Sequence, residues 1–268
     1  MKTYPAVDVH TTFSDLLLAL VDDFGPTAVE ERCDRVRIFF PTTGMRDAAQ
    51  AVLASRFSVT AADVPDEDWA RRSQEQLAPI TVGRITVFPN PRSLISNPYA
   101  IVIVPSMGFG TGHHATTRLC LDALQTIDLT RAFVLDVGTG SGVLAIAADR
   151  LGASRALGID HDPDAIQSAR ENVALNPAAV HVELEVGDLT TRTLPQADVV
   201  TANLTGALLI RSAAALLGAV RPGGSLIISG LLAHERDEVC RAFAPAGIVW
   251  EREEEGWVGL IFRRSAAL

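Results

Sequence analysis

Between Thr116 and Arg263, short apolar segments typical of strands alternate with longer segments whose apolar residues recur at helical spacing. Strands that alternate with helices predict a mostly parallel sheet covered by helices on both faces. The last two segments, Ile248–Arg252 and Trp257–Arg263, are separated only by Glu253–Gly256 and predict an antiparallel hairpin at one edge. The pattern therefore predicts an α/β domain with a Rossmann-like, seven-stranded sheet. Its other predicted strands are Phe133–Val137, Ala156–Asp160, Val182–Val186, Val199–Ala202 and Ser225–Ser229, and its helices are Thr116–Leu124, Val143–Leu151, Pro163–Leu175, Gly206–Val220 and Leu232–Phe243.

The N-terminal part has a different pattern, which predicts a separate small domain. Residues 1–62 contain candidate elements in the order βαββαβ, typical of a ferredoxin-like α+β fold. Residues 63–78, which are polar and acidic and include Pro65 and Trp69, predict a linker that leads into a helix. The larger domain is then expected over 79–268, beginning with strands Ile80–Phe88 and Ile101–Val104. The N-terminal elements are strands Tyr4–His10, Thr27–Arg32, Val36–Phe40 and Phe57–Ala61 and helices Ser14–Asp23 and Met45–Arg56.

Composition excludes several classes of protein. The net charge is −9 and the chain has a single Lys, so no basic cluster suited to nucleic acid is visible. The acidic balance favours a small molecule or a basic protein as the partner. Cys33, Cys120 and Cys240 are scattered and the adjacent His113 and His114 point apart on a helix, so neither a disulfide framework nor a metal site is expected.

The length of the apolar segments bears on the cellular location of the protein. No apolar run reaches the ~18 residues that a membrane span needs, and Met1–His10 lacks the apolar region of a secretory signal. We therefore expect a cytoplasmic protein with no membrane association. No strongly exposed apolar seam is visible in the pattern, which favours a monomer.

A glycine-rich turn joins the first strand of the sheet to the next helix. Gly138, Gly140 and Gly142 follow Val134–Val137 with the spacing G-x-G-x-G. Glycines at such a turn allow unusual backbone dihedrals and the close approach of a ligand. The dinucleotide fingerprint G-x-G-x-x-G would require a third glycine where Val143 stands, which weakens a phosphate-binding interpretation. A tight turn without any ligand is the alternative.

Three polar residues lie at or just after the ends of predicted strands, where ligands bind in open α/β sheets. Asp160 lies twenty positions after Gly140 and could accept hydrogen bonds from ribose hydroxyls. Asp188 could reach an adenine amino group, or it could serve a turn. Asn203 offers an amide beside the expected reacting group, or it could be a turn former. Asp162, before Pro163, is expected to cap the next helix.

These residues together resemble the class I methyltransferase signature, and a further segment makes the resemblance specific. The run Gly108–Thr117, followed by Arg118–Leu121, resembles the segment that marks the PrmA family, which methylates ribosomal protein L11. The resemblance also covers Trp69 to Pro89, Ala202-Asn203-Leu204, Pro222-Gly223-Gly224 and Gly256-Trp257-Val258. Two departures are visible, because His113 and Ala115 stand where the family usually has Thr and Pro.

The resemblance implies S-adenosyl-L-methionine as the cofactor and a basic, L11-like ribosomal protein as the substrate. It implies cofactor contacts at Thr117, Gly138, Asp160 and Asn203, and we add Gly140, Gly142 and Asp188 from the residue pattern. The N-terminal domain is then expected to recognise the substrate.

The expected reaction is attack by a neutral lysine or N-terminal amine on the cofactor's methyl group, with Asn203 orienting the amine. Burial of an amine whose pKa in water is about 10.4 would favour its neutral form. His114 could act as a base or could be a structural residue at a helix start. The alternatives are a methyltransferase acting on another protein, an RNA or a metabolite, a nicotinamide-dependent oxidoreductase, and a non-catalytic adaptor that binds the cofactor.

Overall fold

The computed structural model describes residues 3–11, 17, 20–21, 24–31, 35–65, 78–90, 97–104, 114–244 and 246–266. The chain divides into two compact units, Met1–Glu75 (unit 1) and Gln76–Leu268 (unit 2). Within the described ranges, no helix is both long and apolar enough to cross a lipid bilayer. The same ranges contain no group of three or more His, Cys, Asp or Glu side chains that could hold a metal ion.

Unit 1 contains a four-stranded antiparallel sheet in the order β2-β3-β1-β4. Helix α1 (Thr43–Leu53) begins at Thr42, whose hydroxyl accepts a hydrogen bond from the Met45 amide, and buries Ala49 and Leu53 in the core over the sheet. The predicted helix Ser14–Asp23 lies largely outside the described residues, so the ferredoxin-like assignment stays a prediction. The strands are β1 (Thr3–Val9), β2 (Ala28–Glu31), β3 (Val36–Phe39) and β4 (Val59–Pro65).

Two boundaries in the first part of the chain differ from the prediction. Strand β4 continues to Pro65 because it pairs with β1 along its whole length, so 63–65 belong to a strand and not to the linker. Residues 66–77 of the predicted linker, which include Trp69, lie outside the described residues. The predicted strand Ile80–Phe88 is two strands, β5 (Ile80–Val82) and β6 (Ile85–Phe88), joined by a turn at Gly83-Arg84.

The Gln125 side chain accounts for that turn, because it accepts a hydrogen bond from the Arg84 amide and donates one to the Val82 carbonyl. The turn is therefore stabilised by a side chain 41 positions away along the chain, and local apolar periodicity could not predict this contact. Strand β7 (Ala100–Val102) pairs in parallel with β6 and completes a three-stranded sheet.

The large sheet of unit 2 has seven strands in the order β10-β9-β8-β11-β12-β14-β13, which confirms the predicted α/β class. Strands β8 to β12 run parallel, and β14 runs antiparallel to both β12 and β13, as the hairpin pattern predicted. The hairpin turn is shorter than predicted and has Glu255 and Gly256, both with positive φ, at its centre. The strands are β8 (Phe133–Val137), β9 (Arg155–Asp160), β10 (Val182–Val186), β11 (Ala197–Asn203), β12 (Val220–Leu232), β13 (Gly247–Glu254) and β14 (Trp257–Arg263).

Helices cover both faces of this sheet because its inner strands are apolar on both sides. In β8, Val134 belongs to one apolar cluster, whereas Phe133, Leu135 and Val137 belong to the other. The predicted helix Leu232–Phe243 begins later, with a 3-10 turn at Ala233–Glu235, because β12 continues to Leu232. The helices are α2 (Ala115–Leu124), α3 (Val143–Arg150), α4 (Pro163–Leu175), α5 (Gly206–Ala219) and α6 (Arg236–Ala242).

Candidate cofactor and methyl-transfer site

The carboxyl ends of three adjacent strands place three of the predicted site residues in one row. Val137 lies opposite both Ile159 and Ala202, so the next residues, Gly138, Asp160 and Asn203, are neighbours across β8, β9 and β11. Asn203 in turn lies opposite Ser229 of β12. Because neighbouring strands are about 4.8 Å apart, Asp160 and Asn203 are separated by roughly 10 Å.

A cleft of about 210 Å³ opens beside this row. Three of the predicted residues, Gly138, Asp160 and Asp188, line it together. Gly140, Gly142, Thr117 and Asn203 do not line it. The remaining lining residues are mainly apolar and comprise Val137, Ile159, His161, Gly187, Leu189, Thr190, Leu204 and Leu208.

The glycine-rich turn is held against the end of β9. The amides of Gly138 and Thr139 both donate to the Ile159 carbonyl, and the Gly140 amide donates to an Asp160 carboxylate oxygen at 3.0 Å. Gly138 and Gly140 have φ values of 73° and 53°, which residues with a Cβ rarely adopt. Gly140 does not line the cleft itself, but it hydrogen-bonds Asp160, which does.

Asp160 is placed for a ligand while it remains bonded to the protein. Its side chain is 11% exposed, and its two oxygens accept hydrogen bonds from the amides of Gly140 and Asp162. Each carboxylate oxygen has a second lone pair, so both are still able to accept a hydroxyl. His161, which sequence analysis did not single out, lies 3.3 Å from Asp160 and is 81% exposed at the cleft.

A buried carboxylate lies below the turn and was also missed from the sequence. Asp136 is 1% exposed and accepts hydrogen bonds of 2.6 Å from the hydroxyls of Thr139 and Thr201. Burial raises the pKa of Asp136 to about 6, although both hydroxyls oppose that shift. Gly158 makes room for this arrangement, because a Cβ there would lie 2.6 Å from the Thr139 hydroxyl oxygen.

Asp188 both forms a turn and lines the cleft. One of its oxygens accepts hydrogen bonds from the amide and the hydroxyl of Thr190, each at 2.7 Å. These bonds lower the pKa of Asp188, so the carboxylate is ionised at neutral pH. Asp188 lines the cleft together with His161, so the turn and ligand-binding interpretations from the sequence are compatible.

Asn203 ends β11, and two glycines fix the chain that follows it. A Cβ at Gly138 would lie 2.5 Å from the Leu204 side chain, and one at Gly230 would lie 2.3 Å from the Leu204 carbonyl oxygen. The Leu204 amide donates to the Ser229 carbonyl. Within the part of the chain that the structure describes, the Asn203 side chain makes no hydrogen bond, so its amide is available to a ligand.

The other predicted residues lie around this centre. Thr117 is buried in the first turn of α2, and Gly142 is the N-cap of α3, where a Cβ would lie 3.2 Å from Ala169. Packing of α3 on α4 is thus one reason for glycine at position 142. His113 and the run 108–112 lie outside the described residues.

His114 and Asp162 have the structural roles that sequence analysis considered for them. His114 is the N-cap of α2, its Nδ1 lies 2.8 Å from the Thr116 hydroxyl, and burial followed by the charge of Arg118 lowers its pKa. The imidazole is therefore neutral at pH 7. Asp162 caps α4 by accepting a hydrogen bond from the Asp164 amide.

The cleft fits a nucleoside better than a dinucleotide. Its described lining contains two carboxylates and neither Lys nor Arg, which disfavours phosphate. Carboxylate oxygens accept hydrogen bonds from hydroxyl and amino groups, and apolar side chains such as Ile159 and Leu189 suit the faces of a base. These residues fit the adenosine portion of S-adenosyl-L-methionine.

Comparison with known proteins identifies the family. The profile of the family described as ribosomal protein L11 methyltransferase (PrmA) matches residues 31–265. The chain belongs to the PrmA family. Membership confirms the resemblance seen in the sequence, makes the chain a methyltransferase with S-adenosyl-L-methionine as its cofactor, and removes the nicotinamide-dependent alternative.

Individual relatives agree with this assignment. The chain is 43% identical over 210 residues to a ribosomal protein L11 methyltransferase of Geobacter metallireducens, with 76% of this chain and 69% of the relative covered. It is 38% identical over 259 residues to one of Pseudomonas aeruginosa, with 91% and 85% covered. The fold is also similar to the crystal structure of the ribosomal protein L11 methylase of Lactobacillus delbrueckii, with a TM-score of 0.63 and 27% sequence identity. The superposition covers 70% of this PrmA-family chain and 98% of the methylase chain.

Proposed function

We propose that this chain transfers methyl groups from S-adenosyl-L-methionine to amino groups of ribosomal protein L11, on lysine side chains, the N-terminus or both. The supporting observation is the row Gly138, Asp160 and Asn203 at the carboxyl ends of three adjacent strands, in a chain that matches the PrmA profile. A cytoplasmic location belongs to the same proposal, since ribosomal proteins are assembled there.

The bound cofactor supplies an electrophilic methyl group, so the protein has to bind, align and desolvate the reactants. We assign Asp160 to the ribose hydroxyls and Asp188 to the adenine amino group, because both carboxylates line the cleft with free lone pairs. Gly138, Gly140 and Gly142 shape the turn beside the cofactor, and Thr117 completes the cofactor contacts from α2.

Asn203 is the proposed catalytic residue. It lies two strands from Asp160, and its amide is not engaged by the described residues. Its carbonyl oxygen can accept a hydrogen bond from the attacking amine, which orients the nitrogen lone pair toward the methyl group. A neutral amide does not stabilise the protonated form of the amine, whereas a negatively charged base would.

The net charge of −9 supports a basic protein substrate, because opposite charge accelerates encounter. An acidic chain with a single Lys is less suited to RNA, which remains the alternative substrate class together with other proteins and small metabolites. Unit 1 is the proposed site of substrate recognition.

The test is methyl transfer from labelled S-adenosyl-L-methionine to purified L11, to ribosomal RNA and to a metabolite extract, in parallel. We expect label in L11 alone, and mass spectrometry of its peptides will separate lysine from N-terminal methylation. Label in RNA or in a metabolite, with none in L11, would contradict the proposed substrate while leaving the methyltransferase assignment intact.

Replacing Asn203 by Ala tests the catalytic assignment. We expect kcat to fall by about a hundredfold through lost alignment of the amine, with little change in thermal stability. Gln196→Ala is the matched control, because it removes a side-chain amide just before the opposite end of β11. Among the residues that the structure describes, the Gln196 side chain hydrogen-bonds only the Gly218 carbonyl. Equal activity of the two variants would refute the role of Asn203.

A further inference from the structure

Two buried asparagines on α4 bind the chain that enters the segment marking the family. Asn172 and Asn176 are 1% and 7% exposed. Asn176 accepts a hydrogen bond from the Val102 amide at 2.8 Å and donates to the Val102 carbonyl at 2.7 Å. Asn172 accepts a hydrogen bond from the Val104 amide at 2.9 Å.

The spacing of these residues explains why side chains replace a strand here. The Ile103 amide donates to Phe88 of β6, so the amides of Val102 and Val104 face the other way, toward α4. Residues two apart on a strand are separated by about 6.6 Å, and residues four apart on a helix by about 6 Å. Asn176 therefore lies opposite Val102, and Asn172 lies opposite Val104. Their side chains provide the hydrogen-bond partners that a neighbouring strand would otherwise supply at this sheet edge.

Only one of the two asparagines reaches the glycine-rich turn. Asn172 Nδ2 donates to the Ser141 carbonyl at 2.9 Å, and Ser141 lies between Gly140 and Gly142. The Asn176 amide group instead donates to Val102 and to the Asn172 carbonyl. One amide of Asn172 thus joins the turn beside the cofactor cleft to Val104, from which the chain continues into 105–113 and the N-cap of α2.

We propose that Asn172 is a positioning residue for cofactor binding, which couples the glycine-rich turn to the chain at Val104. The inference rests on the proposed function only in placing the cofactor beside this turn. A rigid turn presents the Gly140 amide to Asp160, so loss of the Ser141 bond loosens the carboxylate that receives the ribose. Since coupling is reciprocal, a cofactor that orders the turn also orders the chain at Val104.

The matched variants are Asn172→Ser and Asn176→Ser, which make the same neutral truncation at two buried positions of one helix face. Each variant loses side-chain hydrogen bonds to the chain at 102–104, so we expect similar losses of thermal stability. For S-adenosyl-L-methionine we expect Asn172→Ser to raise KM and the calorimetric Kd about tenfold, as loss of one buried hydrogen bond implies, and Asn176→Ser to change them less than twofold. Equal effects of the two variants on KM, or an unchanged KM in Asn172→Ser, would overturn the inference.

Amide hydrogen exchange on the parent protein provides a test that needs no variant. Saturation with S-adenosyl-L-methionine should slow exchange at Val104 more than at Val102, because only Val104 is joined through Asn172 to Ser141. Equal slowing at both amides would mean general stabilisation and would contradict the coupling. Failure of the parent to bind S-adenosyl-L-methionine would instead refute the proposed site, whereas normal binding without the Val104 effect refutes the coupling alone.

Discussion

The buried carboxylate under the glycine-rich turn leads to a prediction about stability and pH. Asp136 is enclosed at the carboxyl end of β8, and burial raises its pKa from 3.8 to about 6. Asparagine has the same shape and stays neutral, and its amide can accept from the hydroxyl of one threonine and donate to that of the other, Thr139 and Thr201. We predict that Asp136→Asn removes a pH-dependent loss of stability.

The magnitude follows from the difference in pKa between the folded and unfolded chains. Well below pH 3.8 the carboxyl of Asp136 is protonated in both states, so it contributes no pH dependence there. Between pH 4 and 6 the folded chain binds more protons, and the free energy of unfolding falls as the pH rises. About two pH units at 1.36 kcal/mol each give a loss of about 3 kcal/mol, which is complete above pH 6.

The assay is urea unfolding of parent and variant from pH 4.5 to 8. Fluorescence of Trp250 and Trp257 follows unit 2, and Trp69→Phe in both chains removes the signal of unit 1. Titrating groups that do not interact with Asp136 cancel in the difference. Part of the loss has already occurred at pH 4.5, so the free energy of unfolding of Asp136→Asn relative to the parent should rise by about 2 kcal/mol between pH 4.5 and 7. A flat difference, or a parent that gains stability relative to the variant, would refute the reasoning.

Three further predictions concern the site and its support. Asp160→Ala should weaken binding of S-adenosyl-L-methionine by about 1.5–3 kcal/mol for each lost hydrogen bond, and calorimetry that finds full affinity would remove Asp160 from the site. Gly230→Ala should destabilise the fold by about 2–4 kcal/mol in urea unfolding, because a Cβ would lie 2.3 Å from the Leu204 carbonyl oxygen at a φ of 89°; stability equal to that of the parent would disprove the close contact. Ala115→Pro, which restores the residue usual in the family, should raise stability by about 0.4–1 kcal/mol, since Ala115 starts α2 and the ψ of 139° at His114 suits a following proline; a lower melting temperature would show that the ring does not fit.

Elements with a strong local signal were predicted to the residue. Strands Phe133–Val137, Val182–Val186 and Trp257–Arg263 and helix Pro163–Leu175 have the predicted bounds. The helix is delimited locally, by the Asp162 cap and by Pro163. Strand ends set by pairing partners were less predictable, since β11 begins two residues before, and β12 five residues before, the predicted starts at Val199 and Ser225.

The sequence by itself determined the fold class and placed Gly138, Asp160 and Asn203 at the ends of strands, because apolar periodicity and glycine spacing are local properties. It indicated the family through the resemblance of the segment Gly108–Thr117, which is local as well. Only the tertiary structure showed that Asp136 lies between two threonines, that Gly230 accommodates the Leu204 backbone, and that Asn172 joins the turn to Val104. Apart from the hydrogen bond between Asp136 and Thr139, which are three residues apart, these contacts join residues that are distant along the chain. Their partners are chosen by strand order and register, which local periodicity does not encode.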